Sequence, residues 1–255
     1  MSDGREIVPE GRTKIGRDPF RFHCHPGVSC FTNCCRKLEL YLYPYDIIRL
    51  KNRLNMRADE FLHAHTRLSQ GAHPFFPAVM LNMRDDSEGT CPFLGEKGCS
   101  VYRDRPSACR TYPLERGVEK EAGRSSLRVH YFLTHHDYCK GHNEEHAYTV
   151  AQWERDQQLY DYNLMNDAWA EVDAFFATNP WHGEGAAGPR QQLAFMVCYN
   201  IDAFREYAVR HNLLRAFRID RDRRRRIEKD DGELLRFGFD WLRFVLGGHP
   251  TLQPR

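Results

Sequence analysis

Eight of the nine cysteines fall between Cys24 and Cys139, and this concentration constrains the chain more than any other feature. They form a first group, Cys24-x5-Cys30-x3-Cys34-Cys35, a second, Cys91-x7-Cys99-x9-Cys109, and then Cys139. Turn-forming residues are frequent around them, so short irregular segments must carry most of the thiols. Thiolates are soft ligands that suit zinc and iron–sulfur clusters, and ligation coupled to folding replaces part of a missing apolar core. In extended backbone, neighbouring side chains point to opposite sides. Cys34 and Cys35 are therefore expected to serve different sites, which makes two four-thiolate centres a possibility beside one. Cys198 flanks an apolar stripe at helical spacing and reads as a packing residue.

A disulfide scaffold is the competing explanation. The count is odd, and Met1 to Phe20 is polar without the apolar run of a secretory signal. A reducing, cytoplasmic setting is expected, where clustered cysteines bind metal or do redox chemistry. With 41% hydrophobic and 13% aromatic residues the chain is not expected to be disordered. A net charge of only +2 argues against a general grip on nucleic acid. No apolar run is long enough to span a bilayer, so no membrane association is expected.

The pattern predicts a mainly α fold in three parts. Residues 1–22 read as an N-terminal arm, 23–147 as an irregular, cysteine-rich and metal-organised core, and 148–255 as a helical module. Within the core, Pro44 to Leu54 has a helical apolar side, with Pro44 in the first turn and Asn55 as the stop. A second helix is expected from Ala58 to Thr66, and a short strand near Ala78–Met83. Thr149 is expected to cap one long helix to Ala177. Pro189 opens a helix reaching Ala208, in which a buried Asn200 would need a polar partner in the other half. Asp231 caps a last helix ending before Gly247-Gly248.

The second cysteine group lies in a longer pattern: Cys91-Pro92-Phe93-Leu94, Cys99-x-Val101-Tyr102, and Arg105-Pro106-x-x-Cys109-Arg110-x-Tyr112-Pro113. This resembles the YkgJ-type cysteine-cluster family, a family of zinc- or iron-chelating domains. The resemblance covers about residues 22–142. Cys24, Cys30, Cys34 and Cys35 take the places of the family's CxxCxxCC signature, with spacers of five and three residues in place of two each. Asp46 matches an Asp that opens a helix, and Cys139-Lys140-Gly141 the final Cys-x-Gly. Through the cysteine motif alone the chain is also distantly similar to flagellin lysine N-methylases, which are held to carry an iron–sulfur cluster.

The resemblance implies a metal site built from Cys24, Cys30, Cys34, Cys35, Cys91, Cys99, Cys109 and Cys139. It implies one or two iron–sulfur clusters of the 4Fe-4S type in a structural or redox role, with zinc as the alternative metal. A redox or other protein partner would follow, or an enzyme that modifies protein side chains. A four-thiolate centre is net negative, so Arg105 and Arg110 are expected to offset its charge and bond to its sulfurs, with Arg103, Arg36 and Lys37 in lesser roles.

Two further signals are weaker. His142-x-x-Glu145-His146 has the form of an inverted zinc-protease motif, whose simpler reading is exposed histidines at a helix start. The arginines between Asp220 and Arg226 are interrupted by acids, and a solvated, salt-bridged helix face is expected there. Phosphate-loop, dinucleotide and nucleophile-elbow motifs are missing.

Overall fold

The computed structural model describes residue 8 and residues 11–120 and 127–255. The other residues of the N-terminal arm, 1–7 and 9–10, lie outside the described residues. In chain order the strands are β1 (Arg12–Ile15), β2 (Phe20–Arg21), β3 (Tyr41–Leu42), β4 (Thr66–Gln70), β5 (Pro77–Leu81), β6 (Leu94–Gly95), β7 (Gly98–Cys99), β8 (Leu114–Lys120), β9 (Leu127–Thr134) and β10 (Ala147–Tyr148). The helices are α1 (Pro44–Leu54), α2 (Ala58–His65), α3 (Ser107–Thr111), α4 (Val150–Asp156), α5 (Tyr160–Phe176), α6 (Pro189–Tyr199), α7 (Ile201–Arg210), α8 (Leu213–Ala216), α9 (Arg221–Lys229) and α10 (Asp231–Gly247). Helix makes up 46% and strand 17%, so the expected mainly α class holds in part: helix predominates, but strands make the fold a mixture of the two. The strands that change the class are chiefly β8 and β9. None of the described helices is long and apolar enough to cross a membrane.

The chain divides into two compact units, each discontinuous in sequence. The first takes residues 1–38, 83–100 and 107–161, and the second 39–82, 101–106 and 162–255. In the first unit β1, β9 and β8 form an antiparallel sheet in that order, with Arg12 opposite Thr134 and Val118 opposite Val129. A separate two-stranded pairing sets Phe20 opposite Tyr148 and Arg21 opposite Ala147. Beside these strands lies a small apolar core of Phe20, Phe22, Leu114, Trp153 and Leu159, with Cys139 packed at its edge. The segments that hold the other seven thiols contribute few apolar residues. Across 24–38 and 83–100 the buried hydrophobic side chains are Val28 and Phe93.

The helix beginning at Val150 is capped as expected, by Thr149 Oγ1 accepting from Gln152 N–H (3.3 Å). It stops at Asp156 instead of running on. Gln158 is left-handed (φ 53°), Leu159 N–H donates to Glu154 O (2.9 Å) and Gln158 N–H to Arg155 O (3.1 Å). These bonds make a Schellman termination, and the fully buried Leu159 anchors it. A glutamine gives none of the warning that a glycine would.

The second unit is helical around a three-stranded antiparallel sheet of order β3-β5-β4. α1 spans the expected residues: Asp46 Oδ2 accepts from Tyr43 N–H (2.9 Å) and the left-handed Asn55 ends it. The family's helix-opening aspartate is thus a capping group, fully buried. α6 and α7 are separate helices. Asn200 is the N-cap of α7, accepting from Ala203 N–H (3.2 Å), so its partner is local and not in another half. The last helix is capped by Asp230, not Asp231. α9 carries the arginines with Asp220 as its N-cap; Arg223 pairs with Asp240 (3.0 Å) and Arg225 with Asp222 (3.6 Å), as expected of a salt-bridged face.

Within this unit the ammonium of Lys51 is buried between Asp202 (3.2 Å) and Asp231 (3.0 Å), and Arg205 also holds Asp231 (2.7 Å). Burial raises the Asp231 carboxyl, but the bonds from Arg205 and Lys51 outweigh it and hold the group below the usual carboxylate range. A depressed carboxyl contributes stability that is complete above the unfolded value of about 4 and is lost as pH falls through the folded one. Lys51→Met leaves two carboxylates short of a partner. It is expected to cost about 3 kcal/mol at neutral pH and less in acid, as measured by urea unfolding at a series of pH values.

Candidate metal centre

All eight clustered cysteines lie in the first unit, and Cys198 lies fully buried in the second. All nine are among the described residues and none is disulfide-bonded. The first group is carried by successive tight turns: Val28 N–H donates to His25 O, Phe31 to Val28, Asn33 to Cys30 and Cys35 to Thr32, at 2.9 to 3.0 Å. The last of these is the 3-10 turn Asn33–Cys35, entered through a left-handed Thr32. Its backbone overturns the expected extended geometry. The Sγ atoms of Cys34 and Cys35 lie 4.0 Å apart, on one side and not on opposite sides.

A second set of backbone bonds brings in the next thiols. Cys91 N–H donates to Cys35 O (2.8 Å) and Lys37 N–H to Gly89 O (2.9 Å), with Arg36 bridging Thr90. The strip 35–37 is thereby zipped to 89–91. From Cys91 the chain turns, Leu94 N–H donating to Cys91 O, into the β6–β7 hairpin that sets Leu94 opposite Cys99. Gly98 is required here. Its φ is +111°, and a Cβ would meet Phe31 Cζ at 3.3 Å. Cys109 sits on the short α3, which starts directly after Pro106. Cys139 is held by its N–H to His136 O (2.8 Å), and the next amide, Lys140 N–H, donates to Cys30 Sγ (3.0 Å). Cys24 is exposed, one residue past the pairing of His23 N–H with Gly141 O (3.0 Å).

The electrostatics show which thiols share a field. A hydrogen bond from Cys35 lowers the Cys34 thiol to about 7, helped by Arg36, so Cys34 is the readier thiolate of the pair. The same bond pushes Cys35 up, as do burial and the charges of Cys34, Cys91 and Cys109. Burial raises Cys91, and Cys99 adds to the rise. Tyr112 is raised by burial and by its bond to Cys139. Tyr138 is raised by burial and then by Cys34, Cys139, Cys30 and Cys35. Thus Cys34, Cys35, Cys91, Cys99 and Cys109 are linked on one side, and Cys30 and Cys139 meet them around Tyr138.

The two arginines singled out from sequence are both buried. Arg110 Nη1 donates to Gln157 O (2.6 Å). Arg105 belongs to the second unit, where its guanidinium stacks on the Tyr102 ring (3.9 Å to the centroid) and donates to Tyr102 O (2.6 Å). Arg36 donates to Thr32 O (3.0 Å) beside the first cysteine group. The HxxEH run does not form a helical ligand pair. Lys140–Asn143 is a 3-10 turn, and His146 leads into the strand β10.

The Cys-x-Gly at 139–141 has a steric origin. A Cβ on Gly141 would lie 2.9 Å from Phe22 Cε2 and 3.1 Å from His23 O. Only glycine lets residues 139–141 lie this close to 22–23 while Lys140 reaches Cys30.

Residues 23–140 match the model of the CxxCxxCC family, described as a putative zinc- or iron-chelating domain. The match begins next to Cys24 and ends next to Cys139, so it encloses all eight thiols. No curated protein and no solved structure matches the chain. The donor set fits a thiolate-bound metal: eight thiols lie in one unit, and Cys30 already accepts a backbone hydrogen bond.

Gly141→Ala should force Phe22 and the His23 carbonyl apart. It is expected to cost about 1–3 kcal/mol, read as a lowered thermal midpoint of the metal-loaded protein, while Gly16→Ala, with open space around it, shifts it little.

Proposed function

We propose that the first unit holds one or two iron–sulfur clusters, of the 4Fe-4S type, through its clustered thiolates, and that the protein uses them in a structural or redox role in a reducing compartment. The observation that carries this reading is the spacing of the sulfurs. Four thiolates around one zinc ion stand about 3.8 Å apart, given tetrahedral Zn–S bonds of about 2.3 Å. The Cys34–Cys35 pair is near that distance at 4.0 Å. Yet among the described residues no three of the thiols bring their sulfurs within 4.8 Å of one another. A multinuclear cluster separates its thiolates more widely than a single ion does, and so suits this spread better.

The surroundings support the same reading. Arg36 and the Lys140 amide supply positive charge and a hydrogen bond to sulfur, the levers by which a protein stabilises a negative cluster. Arg110 contributes charge within the same unit. Unbridged cysteines in such number suit a reducing compartment. A redox role implies a protein partner that exchanges electrons.

Protein purified without oxygen is expected to be brown, with iron and acid-labile sulfide in equal amounts and about four of each per cluster. Cys35→Ser and Cys91→Ser should lose most of the iron, and Cys198→Ser none. Colourless protein with stoichiometric zinc and no sulfide would overturn the reading in favour of a structural zinc module.

A further inference from the structure

We infer that His23, His25 and Glu144 form a second site, which takes one divalent transition-metal ion through nitrogen and oxygen, separate from the thiols. Among the described residues, this is the one group of three or more His, Cys, Asp or Glu whose ligand atoms all lie within 4.8 Å of one another. His25 Nε2 is 3.2 Å from Glu144 Oε2, and the rings of His23 and His25 are 4.7 Å apart.

The backbone builds the site. Phe20 and Arg21 pair with Tyr148 and Ala147, Phe22 N–H donates to His146 O, and His23 N–H donates to Gly141 O. This ladder lays residues 20–23 along 141–148 and sets Glu144 beside the histidines. The rings of His23 and His25 come together across Cys24, and no cysteine sulfur lies within 4.8 Å of all three ligand atoms of the group. A fourth donor is near, the His146 ring lying 5.6 Å from that of His23.

The donor chemistry sets the class of ion. Two imidazoles and one carboxylate suit zinc or ferrous iron, and three protein ligands leave coordination positions open for water or a substrate. Both His25 and Glu144 remain 37% exposed, so an ion can enter from solvent. Gly27 N–H lies against His25 Nδ1 (3.1 Å), which leaves Nε2 as the ring nitrogen facing Glu144.

The test is zinc binding to the full chain with its thiol-bound metal in place, using Zn2+ alone as the probe. Bound zinc, iron and sulfide are counted after equilibrium dialysis for the wild type, the double variant His23→Ala/His25→Ala, and Glu144→Gln. The isosteric Glu144→Gln keeps an acceptor for His25 and serves as the fold control. The wild type is expected to hold one zinc more than the double variant and to bind it at least tenfold more tightly than Glu144→Gln, with thiol-bound metal equal in all three. Equal zinc in all three proteins would overturn the inference. So would loss of the thiol-bound metal from the double variant, since the imidazoles would then belong to the cysteine centre. Absence of iron and sulfide in every protein would count against the cluster reading alone and leave the zinc difference between wild type and variants to be read.

Discussion

Crowding of the clustered thiols is the constraint on which the first unit depends, and the proposed metal would relieve the repulsion among their thiolates. The bond to Cys34 and burial push Cys35 up, and the charges of Cys34, Cys91 and Cys109 add to the rise; burial raises Cys91, and Cys99 adds to it. These groups are drawn together by backbone bonds between 35–37 and 89–91, not by apolar burial. The cysteine-bearing stretches 24–38 and 83–100 bury only Val28 and Phe93 among their hydrophobic side chains. Stretches with so little to hide from water need another source of folding energy, and the proposed metal–thiolate bonds would supply it where the ligands are preset by turns. The glycines at 98 and 141 follow from the same need, since they let the segments that present Cys99 and Cys139 approach Phe31 and Phe22.

The second unit is stabilised in another way. Its helices bury Leu50, Phe204, Phe237 and Leu242 almost completely, and α10 packs against α6, α9, α7 and α1. A costly feature of this unit is the buried ammonium of Lys51, compensated by two aspartates. The family segment 23–140 contributes to both units, because residues 39–82 and 101–106 fold with the C-terminal helices. The family's Asp46 therefore acts as a buried helix cap in the helical unit, while its cysteines lie in the other.

Much of the helical unit was legible because its signals are local. Pro44, Asn55, Pro189 and Gly248 mark helix ends by backbone restriction alone, and the structure places ends at or next to each. The break at Gln158 was not legible, because its cause is Leu159 finding a place in the apolar core. Nor was the split at Asn200, where a polar residue on an apolar face turned out to be a cap. The β8–β9 hairpin had left a trace: Val129, Tyr131 and Leu133 alternate with Arg128 and His130, the period of a half-buried strand. Of the candidate site, the cysteine motif was readable, but not the turn that puts Cys34 and Cys35 on one side. Glu144 carried no sequence signal at all; Glu145 matched the motif, and only the pairing of 20–23 with 141–148 selects its neighbour.

The central claim is that metal holds the thiol unit together and the helical unit folds without it. Hydrogen exchange of the backbone amides, measured for the metal-loaded protein and after metal removal under reducing conditions, tests this directly. The account predicts that removal abolishes protection at residues 28–37 and 91–100 and leaves α6, α7 and α10 protected. Unchanged protection across 28–37 and 91–100 would contradict it, and so would equal loss in both units.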